Sequence, residues 1–123
     1  MRLLVVSVGR PKGAIAEAIA EYETRAARYW PLEVAEVREE AARGAATAEQ
    51  VRGREGERLL GRVPAGALVA ACDERGDAFT SERFAAWLQG HREGARDVTF
   101  LIGGAYGLAP EVRQRAQLRL AVA

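Results

Sequence analysis

Apolar and polar positions alternate between two periods along this chain, and the switches between them outline its elements. Leu3 to Val8 is an unbroken apolar, β-branched run ended by Gly9, Pro11 and Gly13, the signature of a strand buried on both faces. Ile15, Ile19, Tyr22, Ala26 and Trp30 then share one helical face, and Pro31 stops the helix. Leu32 to Val37 reads as a second, more mixed strand, and Glu39 to Ala46 as a loop. Thr47 with Gln50 forms a capping pair for a helix toward Val51, Leu59 and Leu60, which Gly53 and Gly56 weaken by about 1 kcal/mol each relative to alanine.

Ala67 to Cys72 is a third apolar run, with Asp73 to Asp77 as its turn. Thr80 or Ser81 then caps a helix carrying Phe84, Trp87 and Leu88. Val98 to Ile102 is the fourth strand, Pro110 opens a short helix through Ala116, and Leu118, Leu120 and Val122 alternate as a fifth strand. Strands alternating with helices predict an α/β fold: a parallel sheet with helices on both faces, in which ligands sit beyond the carboxyl ends of the strands.

Three turns fall at that edge: Gly9-Arg10-Pro11-Lys12, Cys72-Asp73-Glu74-Arg75-Gly76 and Gly103-Gly104-Ala105-Tyr106-Gly107. Paired glycines at the end of a buried strand let a ligand approach bare backbone; they also suit a plain tight turn into the Pro110 helix. The spacing matches neither the dinucleotide fingerprint nor the nucleoside-triphosphate loop. Cys72, at a buried strand end with Asp73 beside it, has the setting of a raised thiol pKa and reads as a small core filler. Asp73 fits a ligand hydrogen bond or a turn cap equally. Arg10, Lys12 and Arg75 make either a few-point phosphate contact or a solvated rim. His91 reads as solvated, and Trp30 and Trp87 as core.

Composition narrows the classes. At 123 residues, 49% hydrophobic and 28% charged, the chain fits one globular domain, taken as residues 1–123. No apolar run approaches the roughly 20 residues of a membrane span, and Met1 to Val6 turns polar too soon for a signal peptide, so a cytoplasmic protein is expected. One cysteine and one histidine argue against an internal disulfide and against metal chemistry. A net charge of +1 excludes coating of nucleic acid by bulk charge, and seventeen arginines against the single Lys12 fit a GC-rich genome as readily as phosphate binding.

Taken in order, Val8-Gly9-Arg10-Pro11-Lys12, Glu21-Tyr22 with Arg25, Glu55-Gly56-Glu57-Arg58-Leu59-Leu60, Asp73 with Gly76, Ser81-Glu82-Arg83-Phe84-Ala85, and Val98 to Gly104 followed by Gly107-Leu108 form one set. It resembles the RlmH-type methyltransferases of the SPOUT superfamily. The resemblance implies an α/β-knot fold, a homodimer, and methylation of N3 of a pseudouridine in large-subunit (23S) ribosomal RNA with S-adenosylmethionine as cofactor. By position it implies cofactor contacts at Cys72, Gly103, Gly104, Val122 and Ala123, with Cys72 standing where the family usually has leucine. RNA contacts are expected at Arg10, Lys12 and Arg75. Family members continue past the position of Ala123 with the rest of a cofactor loop, a Pro-His segment, a helix and a basic tail, so the knot is expected to be incomplete over these residues. The family's histidines lie in that continuation, and no catalytic residue is assigned. Two other readings stand beside this one: a shortened relative that binds an adenosine-like ligand or RNA without catalysis, and an unrelated flavodoxin-like interaction module.

Overall fold

The apolar runs become neighbouring strands of one parallel sheet. The computed structural model describes residues 2–13, 16–17, 19–20, 24, 32–41, 47–78 and 97–121, with backbone alone for 73–78 and 120–121. Its strands are β1 (Leu3–Val8), β2 (Leu32–Val37), β3 (Leu68–Ala78), β4 (Val98–Ile102) and β5 (Leu118–Ala121). Its bounded helices are α1 (Ala48–Leu60) and α2 (Pro110–Arg115). The strand order is β2-β1-β4-β3-β5, and every pairing is parallel. The predicted parallel α/β architecture is the one observed.

Successive strand residues face opposite sides, so the sheet carries two cores. On one face Val6, Val8, Val69, Ala71 and Leu101 pack with Leu59 of α1 and Val112 of α2. On the reverse face Leu3, Val5, Leu68, Ala70, Val98 and Phe100 cluster, and Ile19 packs against them. Burying each such aliphatic side chain stabilises the fold by about 1.5–3 kcal/mol. This two-sided burial explains why β1 and β4 read as unbroken apolar runs. β2 forms one edge of the sheet and shows the mixed pattern expected of a strand with one exposed side.

The Thr47 capping box is formed: Gln50 N donates to Thr47 Oγ1 at 3.1 Å, and Thr47 N donates to Gln50 Oε1 at 3.0 Å. Gly56, counted from sequence as a weak point of α1, has a packing role. A Cβ there would lie 3.2 Å from both Ala109 Cβ and Val112 Cγ2, so the missing side chain lets α2 approach α1. A Cβ on Gly53 would meet nothing within 4 Å.

One expectation needs correcting. Asp73 to Asp77 is not a turn that ends the third strand, because β3 runs on to Ala78. Its ladder with β5 shifts register there: Cys72 and Asp77 both partner Leu120, and Ala78 then partners Ala121. Asp77 and Ala78 rejoin the pairing with β5, and Asp73 to Gly76 are the extra length between the two registers. The remaining differences are small: β3 starts at Leu68, and α2 ends at Arg115 with Ala116 as its cap. Residues 13, 16, 17, 19, 20 and 24 are helical, as predicted between β1 and β2. The rest of that helix, the Thr80 or Ser81 helix with Phe84, Trp87 and Leu88, and His91, Val122 and Ala123 lie outside the described residues.

This topology fixes where a crevice opens. From β1 the chain passes to β2 on one side, and from β4 it passes beyond β3 to β5 on the other. β1 and β4 are themselves neighbours, so connections diverge from their carboxyl ends, the arrangement that makes a topological switch point.

Candidate functional site

At the carboxyl edge β1, β4 and β5 end close to one level, while β3 runs on past Cys72 to Ala78. Ile102 partners both Ser7 of β1 and Cys72 of β3, and Cys72 in turn partners Leu120 of β5. Gly103 and Gly104 follow Ile102 directly and therefore stand between the end of β1 and the stretch of β3 that begins at Cys72. Cys72 and Gly103 were expected at one edge, and the register sets Cys72 beside Ile102, the residue before Gly103. β5 ends at Ala121, one residue short of Val122 and Ala123.

The glycine turn is held by its own backbone. Gly107 N donates to Gly104 O at 3.0 Å, and Gly107 adopts a left-handed φ of 83°. Bulky residues avoid that conformation. From below, Arg52 Nη1 of α1 donates to the Tyr106 carbonyl at 3.3 Å. A Cβ on Gly103 would come within 2.8 Å of the Gly107 carbonyl carbon, and one on Gly104 within 3.1 Å of Val8 Cγ1 and 3.0 Å of Glu55 Oε1. From sequence the paired glycines suit either the approach of a ligand or a plain tight turn. The geometry shows that they first clear space for the protein's own atoms.

Glu55 is the residue that sequence reasoning did not single out. It sits on the buried stripe of α1, four residues after Val51 and four before Leu59, and is only 4% exposed. A carboxylate at a core position of helical period is the signal that points to it. Its Oε2 accepts from Glu40 N at 3.0 Å, whereas Oε1 is buried without a hydrogen-bond partner. Beside it, Arg58 donates from Nη1 to the Arg38 carbonyl at 3.0 Å and from Nη2 to Glu40 Oε2, while Arg54 reaches Glu40 Oε1 at 3.3 Å. The Arg58 hydrogen bond, ahead of the charges of Arg58 and Arg54, holds the Glu40 carboxyl below its ordinary value. Through these contacts α1 ties the segment after β2 and the turn after β4 to the same corner.

Cys72 is half-buried as a residue, yet burial pushes its thiol up to about 12. The thiol proton stays on at neutral pH, which rules out a thiolate nucleophile and supports the filler reading. Desolvation is the cause. Arg10 and Lys12 are exposed beyond β1, on the same edge as the glycine turn. Arg75 falls within the register-shifted part of β3, and its side chain lies outside the described residues. Among the described residues no group of three His, Cys, Asp or Glu is placed to hold a metal ion, and no helix is long and apolar enough to cross a membrane.

Comparison with known proteins is decisive at the level of family. The family described as "Predicted SPOUT methyltransferase" matches residues 1–123. The chain belongs to the SPOUT methyltransferase family. It is 54% identical over 124 residues to a protein of Gemmatimonas aurantiaca named "Ribosomal RNA large subunit methyltransferase H", a match covering 100% of this chain and 80% of that relative. Proteins of the same name from Syntrophotalea carbinolica and Geobacter sulfurreducens are 42% and 44% identical, each over 99% of this chain and 79% of the relative. SPOUT membership excludes the unrelated flavodoxin-like module. It also implies S-adenosylmethionine as cofactor, and the carboxyl edge suits such a ligand. Gly103 and Gly104 offer a half-buried backbone floor with no side chain of their own, the backbone of Cys72 lies one residue back on the neighbouring strand, and exposed cations stand on the same edge.

Proposed function

We infer that this SPOUT methyltransferase methylates N3 of a pseudouridine in large-subunit (23S) ribosomal RNA, using S-adenosylmethionine. The observation that carries the reading is identity of 54% across the whole chain with a relative named for large-subunit ribosomal RNA methylation. The register of Cys72, Ile102 and Leu120 supports it, because it brings β3, β4 and β5 together at one edge where a cofactor would meet mainly backbone.

In this reading residues 1–123 form one methyltransferase domain of α/β-knot type. Gly103 and Gly104 are the middle wall of the cofactor pocket, Cys72 is an apolar side wall that also offers backbone hydrogen bonds, and Val122 and Ala123 begin the third wall. When bound, S-adenosylmethionine would be held by Cys72, Gly103 and Gly104 and would supply an electrophilic methyl group for N3. The chain's own contribution is alignment: the clamped glycine turn holds its shape before the ligand arrives, so less ordering is needed on binding. Arg10, Lys12 and Arg75 contact RNA phosphates at a few points, in keeping with a net charge of only +1. The setting is the cytoplasm, the substrate is the ribosome, and the active form is a homodimer.

The test is to incubate the full-length protein with ribosomes and methyl-labelled S-adenosylmethionine, then locate the label by mass spectrometry of the RNA. Label on N3 of a pseudouridine in the large-subunit RNA is the expected result. Label elsewhere, or none with a protein that binds the cofactor, would refute the assignment.

A further inference from the structure

Glu55 is the one charged side chain among the buried residues described, and its position is unusual in three respects. Oε1 is enclosed and accepts no hydrogen bond. No Lys or Arg side chain among the described residues pairs with the carboxylate, because Arg54 and Arg58 are engaged by Glu40 and Arg52 by the Tyr106 carbonyl. Finally, the direction in which Gly104 would carry a side chain points at Oε1, 3.0 Å from a Cβ placed there. Gly104 thus brings bare backbone against this carboxylate.

A buried carboxylate that no cation touches is costly, and in its ionised form it attracts a cation across a medium of low polarity more strongly than an exposed one does. Resting on the cofactor assignment made above, we propose that Glu55 makes the Gly103-Gly104 edge read charge. It favours S-adenosylmethionine, whose sulfonium is cationic, over the neutral S-adenosylhomocysteine left once the methyl group has gone. The site would hold its charged ligand and loosen when that charge is lost, which promotes exchange of spent cofactor for fresh. Glu55 is enclosed, so the discrimination does not depend on a direct contact between Glu55 and the ligand.

A purely structural Glu55, serving only to accept from Glu40 N, makes a different prediction, and binding rather than turnover separates the two. Calorimetric titration of the full-length protein with each ligand, for wild type and Glu55→Gln, gives the readout, with a thermal melt as the folding control. Glu55→Gln keeps the size and one acceptor oxygen. It is expected to weaken S-adenosylmethionine by about tenfold while S-adenosylhomocysteine changes less than about twofold. Equal losses for both ligands, or an unchanged ratio, overturn the proposal while leaving the cofactor assignment intact. Failure of the wild type to bind either ligand overturns both.

Should Glu55→Gln not fold, the wild type still decides. Sinefungin, which carries a cationic amine in place of the methylated sulfur, should bind more tightly than S-adenosylhomocysteine. Equal or weaker binding of sinefungin overturns the proposal.

Discussion

Where β1 and β4 end, each strand keeps one register to its last residue, and a helix with four polar side chains, Arg52, Arg54, Glu55 and Arg58, fastens the segments that follow. Where β3 and β5 run side by side, pairing is extensive but slips between Cys72 and Asp77, and the excess length is taken up in β3. The two halves of one edge thus solve the same problem differently. The first is set by close approach, down to a 2.8 Å clearance at Gly103; the second is set by backbone pairing that tolerates an irregular sequence. A ligand lying across both would meet a floor shaped in advance on one side and an adjustable wall on the other.

The largest expected effect breaks the first half. Gly103→Ala pushes a methyl group into the Gly107 backbone and should cost about 1–3 kcal/mol of stability, together with most cofactor affinity, as read by chemical denaturation and calorimetry. Cys72→Ala on the second half should cost about 1 kcal/mol or less and leave most of the binding. Equal losses at the two positions would erase the distinction.

Next come the two glycines of α1. Gly53→Ala should stabilise by up to about 1 kcal/mol, since the new Cβ meets nothing. Gly56→Ala should stabilise by less, or destabilise, because its Cβ must fit between Ala109 and Val112. Thermal melts of the two variants compare them directly.

A smaller effect lies in the alkaline range. The Cys72 thiol has a folded pKa of about 12, above the ordinary 9.0, so unfolding releases its proton more readily than the folded state does. The stability this contributes is whole below pH 9.0 and is lost as pH rises toward 12. Melting temperature should fall over that window in the wild type and fall less in Cys72→Ala.

The smallest effect is acidic. Glu40, held low first by its hydrogen bond to Arg58, contributes stability above pH 4.5 that is lost as pH falls through its lowered value. Arg58→Met should flatten that limb of a stability-against-pH curve.

The same contrast explains what could be read from sequence. β1, β4 and the Thr47 cap were legible because burial on both faces and a capping box write themselves into residue type. The continuation of β3 was not, because Asp73 to Asp77 is polar and glycine-containing, and Asp77 and Ala78 rejoin the pairing with β5, some forty residues away in sequence. The glycine turn was found for an incomplete reason: its glycines answer first to Gly107, Val8 and Glu55. Glu55 was quoted within a matching stretch, yet its role was hidden, since a glutamate on a helix ordinarily faces water and only its spacing from Val51 and Leu59 marks it as buried.

The central claim is that the cofactor lies where β4 ends, on the Gly103-Gly104 floor near Cys72 of β3. Titration of isotopically labelled protein with S-adenosylmethionine, followed through backbone amide chemical shifts, tests it most directly. The largest shifts should fall on Cys72, Gly103, Gly104 and Gly107, while Leu3, Leu32 and Val98 at the amino ends of their strands stay unmoved. Saturable binding with shifts centred on those amino ends, or no binding at millimolar cofactor, would contradict it.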